Sequence, residues 1–218
     1  MREVRPAAAR FRTVGDGTRT FHSFSYGTHY DPDNIGFGAL RAINVEHVEP
    51  AAGYDTHHHA DVEIVTWVLE GTLRHDDTTG AGGDIRPRVA QRLSAGTGVE
   101  HAERNASATE PLVFVQCMLA STWEADPDYA QTDVPVEPGA LVPTVGLRSE
   151  VELLVADLDG RPLTVPAAPR RLVHVTRGTV LAEGLRLDQG AEIRTDDADD
   201  LVLTSDGPAE ALVWLLHT

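Results

Sequence analysis

Two short segments gather the residues able to do chemistry. The first, Gly53-Tyr54-Asp55-Thr56-His57-His58-His59-Ala60-Asp61-Val62-Glu63, runs directly into an apolar strand. In an extended chain successive side chains point to opposite faces, so His57 and His59 share one face while His58 turns to the other. The second, Ser94-Ala95-Gly96-Thr97-Gly98-Val99-Glu100-His101-Ala102-Glu103, puts His101 and Glu103 on a common face by the same alternation. Together the two pairs offer three imidazole nitrogens and one carboxylate. That set suits one divalent transition ion, Fe, Mn, Ni, Cu or Zn, and is too rich in nitrogen for Ca or Mg. An ion that accepts six ligands and takes four from the protein keeps positions open for water, substrate or dioxygen, so the site implies chemistry or sensing.

A histidine run in a loop is, by itself, a common polar surface feature. The case for a metal rests on the joint context: both pairs have period-two spacing, each follows a glycine-containing turn, and apolar strands lie between and after them. Asp55, Asp61 and Glu63 are near enough in sequence to accept the second ring N–H of a ligating histidine. The alternative for each is a solvated carboxylate at a turn or strand start.

Bringing the pairs together needs strands that face each other across an interior. Short runs rich in Val, Leu, Ile and Thr recur between Gly, Asp and Pro clusters: residues 63–69, 112–119, 152–155, 172–175, 201–204 and 211–216. Each is four to eight residues long and bounded by turn formers, and no segment of ten or more residues carries helical periodicity. The pattern predicts an all-β fold of antiparallel strands, closed as barrels or paired sheets. Residues 121–145 carry prolines and acids without alternation, as a connection would. The expected division is therefore 1–120, a connection at 121–145, and 146–218. A weak repeat supports two halves: Val68-Leu69-Glu70-Gly71-Thr72-Leu73 is echoed by Val175-Thr176-Arg177-Gly178-Thr179-Val180.

Composition narrows the partners. The 218 residues carry 34 acids against 18 cations, every one an arginine, for a net charge of −16. Such a surface repels phosphate backbones and anionic headgroups, so no direct nucleic-acid binding and no membrane binding is expected. No apolar stretch approaches the roughly 18 residues of a membrane helix, and no secretory signal is read at the N-terminus. The single Cys117 lies in an apolar run and reads as a buried thiol. A cytoplasmic setting is expected. His22, His29, His47, His75, His174 and His217 read as strand or core histidines, with His22 and His75 candidates to lie near a pocket.

The two segments resemble the metal-binding motifs of the cupin superfamily. His57-x-His59 precedes Glu63 and Gly71, and Gly96-x-Gly98-x2-His101-x3-Asn105 follows. Within cupins, the chain is similar to the pirin family, a bicupin group that includes bacterial quercetin 2,3-dioxygenases. The resemblance is carried by Asp31-Pro32-Asp33-Asn34-Ile35-Gly36-Phe37-Gly38-Ala39-Leu40-Arg41, by Thr56 to Gly71, by His75-Asp76-Asp77 and by Ser94 to Glu103. It implies two tandem cupin (jelly-roll-like) barrels, with metal ligands His57, His59, His101 and Glu103 in the first and Fe(II) the usual ion. Glu63 stands one place earlier than the general cupin glutamate, consistent with Glu103 supplying the carboxylate. Arg88 stands near the glycine expected to open the second motif. Counted back from Gly178, the positions matching His57 and His59 are Thr164 and Pro166, so the C-terminal cupin is expected to be degenerate and metal-free.

The resemblance implies a dioxygenase that opens a flavonol such as quercetin with O2 and releases CO, with Glu103 both ligand and catalytic base. The alternatives are a non-enzymatic, iron- and redox-dependent regulator acting through a protein partner, and a metal-empty structural cupin.

Overall fold

β-branched and aromatic residues at alternating positions, punctuated by Gly, Asp and Pro, favour half-buried strands over helices. The computed structural model describes residues 2–197 and 199–217, and its only helical element among them is the three-residue turn Ala7–Ala9. The strands of the first part of the chain are β1 (Arg2–Arg5), β2 (Phe11–Gly15), β3 (Thr18–His22), β4 (Leu40–Val48), β5 (Gly53–His59) and β6 (Val62–Glu70). There follow β7 (Leu73–Asp77), β8 (Gly82–Ile85), β9 (Val89–Ser94), β10 (Val99–Asn105), β11 (Leu112–Ala120) and β12 (Asp128–Asp133). The remainder are β13 (Ala140–Pro143), β14 (Val151–Leu158), β15 (Leu163–Val165), β16 (Arg170–Arg177) and β17 (Thr179–Ala182). β18 (Leu185–Asp188), β19 (Glu192–Thr195), β20 (Leu201–Thr204) and β21 (Ala209–Leu216) complete the chain. No helix among the described residues is long and apolar enough to cross a membrane.

The chain forms two compact units, each a pair of antiparallel sheets of the cupin type. One holds Arg10–Asp133 and Val145–Ser149; the other holds the chain up to Ala9, Val134–Thr144 and the residues from Glu150 onward. These limits differ from the expected 1–120, 121–145 and 146–218 for nonlocal reasons. β1 pairs with β19, which takes the first residues of the chain into the second unit. The presumed connection contains two paired strands, β12 on β9 and β13 on β14. The second unit is built from a six-stranded sheet, β1-β19-β16-β21-β14-β13, and a four-stranded one, β15-β20-β17-β18. Its apolar interior includes Val173, Val175, Val180, Ile193, Leu203 and Val213.

The repeated hairpin has a structural basis in both units. Gly71 and Gly178 have φ of +79° and +70°, the left-handed region where an L side chain is strained. A Cβ would also lie 2.5 Å from the Pro111 carbonyl oxygen at Gly71, and 2.7 Å from that of Pro208 at Gly178.

The first unit pairs a seven-stranded sheet, β12-β9-β6-β11-β4-β3-β2, with a four-stranded one, β5-β10-β7-β8. Its interior is layered. Ala42, Ile64, Leu93, Val99 and Met118 form one apolar cluster, and Val48, Val68, Leu73, Ile85, Leu112 and Phe114 form another. Between them the larger sheet carries a row of polar residues in register across six strands. His22 pairs with Asn44, Asn44 with Gln116, Gln116 with Thr66, Thr66 with Gln91, and Gln91 with Gln131. A polar layer inside a barrel costs stability unless its groups find partners. The flanking clusters supply the compensating burial, about 1.5–3 kcal/mol for each large aliphatic side chain.

Candidate metal centre

The four-stranded sheet brings the two histidine segments side by side. β5 and β10 run antiparallel with His57 opposite His101 and His59 opposite Val99. The His57 and His101 ring centroids are 4.5 Å apart, those of His57 and His59 4.9 Å, and those of His59 and His101 5.0 Å. A nitrogen from each of the three lies within 4.8 Å of the others, close enough to hold one ion. The register shifts between His101 and Glu103. Glu103 forms a second group, its carboxylate within 4.8 Å of ring nitrogens of His101 and His75. His101 thus belongs to both groups. His58 is exposed, with Nε2 close to where a Cβ on Gly98 would stand, as the alternation requires.

Hydrogen bonds fix which nitrogens are available. His57 Nδ1 donates to the Asp55 carbonyl oxygen at 2.7 Å, leaving the Nε2 lone pair free. His101 and His75 approach through their Nδ1 atoms at 3.4 Å, and His75 Nε2 lies 3.3 Å from Asp77 Oδ2. The carboxylate can only accept, so His75 carries its proton on Nε2 and presents an Nδ1 lone pair. His101 then donates from Nδ1 and keeps the Nε2 lone pair for a ligand. Tyr129 stacks on His75 at 5.0 Å and fixes its plane.

Three atoms test whether this set fits a metal. His59 Nε2, His101 Nε2 and Glu103 Oε1 are all buried and have no hydrogen-bond partner. Unsatisfied buried polar atoms are costly, and three in one polar layer match the donor set of a transition ion. Burial, aided by the neighbouring imidazoles, pushes the His59 and His101 rings down to about 4 and about 2, so both are neutral and able to ligate at neutral pH. Burial pushes the Glu103 carboxyl up to about 7 against the opposing hydrogen bond from Gln116, whose Nε2 donates to Oε2 at 2.6 Å. A bound cation acts in the opposite sense and favours the carboxylate.

His57, His59 and Glu103 open on a cavity of about 330 Å³. His57, His59, Glu103 and Tyr54 line it from the smaller sheet, and Thr20, His22, Glu46, Gln116 and Met118 from the larger. Tyr26 also contributes, stacked on His22 at 5.0 Å.

The candidate orienting carboxylates behave differently from one another. Asp55 serves through its backbone carbonyl, its exposed side chain pairing with Arg104 at 2.8 Å. Asp61 is exposed at a left-handed turn with φ of +59°. Glu63 is fully buried away from the ligands and accepts from Ser94 Oγ at 2.9 Å, the Arg148 amide at 2.8 Å and Ser149 Oγ at 2.8 Å. It ties residues 145–149 to β6. Arg88, near the expected glycine, adopts a glycine-like φ of +70°. His75, read as an ordinary strand histidine with a place near the pocket, is instead the partner of His101. Asn44, Glu46 and Gln116 were not singled out, although each is a polar residue at an inward position of an otherwise apolar strand.

Comparison with known proteins agrees with this architecture. A Mycobacterium tuberculosis relative, named provisionally as a quercetin 2,3-dioxygenase, is 41% identical over 99% of this chain and 95% of its own length. The quercetin 2,3-dioxygenase of Escherichia coli K12 is 31% identical over 89% of this chain and 90% of its own. The E. coli protein YhhW superposes with a TM-score of 0.93 at 29% identity over the whole of both chains, and that bacterial pirin has also been crystallised with nickel(II). The family model for pirin matches residues 4–119. The chain belongs to the pirin family.

Proposed function

We propose that the protein is a metal-dependent oxygenase of the flavonol 2,3-dioxygenase type, with His57, His59, His101 and Glu103 as ligands of one divalent ion, Fe(II) by preference. The observation that carries the reading is the set of three partnerless buried atoms, His59 Nε2, His101 Nε2 and Glu103 Oε1; His59 and Glu103 border one cavity, and His101 packs against His57 and His59. The nickel-bound bacterial pirin and the quercetin 2,3-dioxygenase names of the relatives support it. The cavity, at about 330 Å³, is at the lower end of the range for small-molecule sites, about 300–1,000 Å³.

When bound, the ion supplies Lewis-acid polarisation of the flavonol oxygens and an open position for O2. The chain's own residues do the rest. Glu103 accepts the proton of the 3-hydroxyl group, a role suited to a carboxyl whose proton affinity burial has raised toward neutrality. Gln116 holds Oε2 of that carboxylate, which leaves Oε1 for the ion or the proton. The two apolar clusters limit the access of water to the layer between them.

The test is metal analysis of protein purified without chelator or affinity metal, followed by an oxygen-consumption and CO-release assay with quercetin on the same sample. Turnover is expected in wild type and its loss in His101→Ala. A fully metallated protein that neither consumes O2 nor releases CO refutes the reading.

A further inference from the structure

The cavity is bordered by a second carboxylate that the reaction above does not use. Glu46 is 4% exposed and stands toward the C-terminal end of β4, whose neighbouring inward positions are Asn44 and Val48. Thr20 Oγ1 donates to its Oε2 at 2.5 Å and Tyr54 OH donates to the same oxygen at 2.6 Å. Its other oxygen, Oε1, receives no hydrogen bond from the described residues, and Glu46 lines the same cavity as Glu103, His57 and His59. A carboxylate offers about four acceptor positions, and one that is buried is held at a cost unless they are used. Two donors locked on one oxygen fix the direction of the group and leave the other oxygen turned to whatever fills the cavity. A purely structural role in packing would be served as well by an apolar side chain, since the cross-strand neighbour on β11 is Phe114.

We propose that Glu46 is a specificity-determining residue: its Oε1 accepts a hydrogen bond from a phenolic hydroxyl of the bound aromatic, at a distance from the metal-chelating oxygens. The site then selects polyhydroxylated flavonols over those that carry only the 3-hydroxyl and 4-carbonyl pair. This rests on the flavonol reading of the metal centre. Thr20 and Tyr54 are positioning residues for the carboxylate. The same geometry excludes a methyl ether at that position, which brings an acceptor toward an acceptor.

Two ligands separate this proposal from the reading beneath it. Quercetin and 3-hydroxyflavone share the chelating pair, but only quercetin has further hydroxyls. Their dissociation constants are measured without O2 on nickel-loaded wild type and Glu46→Gln, by quenching of tryptophan fluorescence. A hydrogen bond to a charged acceptor predicts that wild type prefers quercetin by about 10- to 100-fold. Glu46→Gln keeps an acceptor for Thr20 and Tyr54 but turns an amide donor to the cavity. Its preference is expected to collapse to within about threefold while 3-hydroxyflavone binds as in wild type.

Equal affinities of wild type for the two ligands overturn the role of Glu46 and leave the flavonol reading standing. So does a Glu46→Gln protein that keeps the preference, or that loses both ligands in parallel. Failure of wild type to bind either ligand overturns both readings. If Glu46→Gln does not fold, the wild-type comparison decides alone, repeated with a flavonol whose extra hydroxyls are methylated; undiminished binding of that ligand overturns the proposal.

Discussion

Substitution of His75 tests how the metal centre is set up. His75 is not among the residues that line the cavity at the ligands, yet it determines which nitrogen His101 offers. With its Nε2 proton committed to Asp77 at 3.3 Å, its Nδ1 is the acceptor 3.4 Å from His101 Nδ1. His75→Leu keeps the volume and removes the acceptor. In the metal-bound state the His101 N–H is then buried without a partner, a cost of about 1–3 kcal/mol. The metal-free protein escapes part of that cost by moving the proton to Nε2. The difference falls on metal affinity and matches the 10- to 100-fold loss, about 1.4–2.7 kcal/mol, typical when the partner of a ligating histidine is removed. His75→Asn puts Oδ1 near the former Nδ1 position and is expected to recover at least part of the loss. Competition against a chromophoric chelator for nickel(II) at fixed pH measures both variants. Nickel binding by His75→Leu within twofold of wild type refutes the tautomer argument. So does a His75→Asn protein as weak as His75→Leu, because the loss then comes from packing.

Glu63 is expected to matter for stability and not for the metal. Its three short hydrogen bonds anchor residues 145–149, so Glu63→Ala should cost about 3 kcal/mol in denaturant unfolding and speed hydrogen exchange there, with nickel affinity unchanged; lost metal would return Glu63 to the ligand set. Arg88→Gly relieves a left-handed residue, a gain of about 1–2 kcal/mol, against the greater chain entropy of glycine, about 0.5–1 kcal/mol; a net rise of up to about 1.5 kcal/mol is expected, and a fall in melting temperature contradicts it. In the metal-free protein, the folded state keeps a proton on Glu103 until about pH 7, whereas the unfolded carboxyl releases it near 4.5, so the contribution of this group to stability falls as pH rises between those values, by about 3 kcal/mol in all. The opposite slope comes from His59 and His101, which the unfolded state protonates below about 6.5 and the folded state resists to about 4 and about 2. Between about pH 4.5 and 6.5 the two imidazoles outweigh the one carboxyl, so wild-type stability still rises there; in melting curves, metal-free Glu103→Gln should rise more steeply over that range and lose the small fall between about 6.5 and 7, and an unchanged profile rejects the assignment.

How much of this was legible in the sequence depended on how local each feature is. His57 with His59, and His101 with Glu103, are two residues apart on single strands, so period-two alternation identified both pairs. It could not foresee the register shift after His101 that groups Glu103 with His75 as well. The hairpin glycines were legible because Gly71 and Gly178 recur in similar strings, though only the structure shows that each is left-handed and set against a proline carbonyl. The polar layer was not legible. Asn44, Thr66, Gln91 and Gln116 lie on four different strands, and within any one of them a polar residue gives no sign of the layer. They become one row only when strand register sets them side by side. The same holds for β1, a four-residue strand whose partner β19 lies about 190 residues along the chain and whose own pattern signals no partner. Chemistry written along one strand can thus be read from spacing, whereas chemistry written across a sheet needs the register. Glu46 is of the second kind: its donors come from β3 and β5, and nothing in the residues flanking it on β4 distinguishes it from a misplaced surface acid.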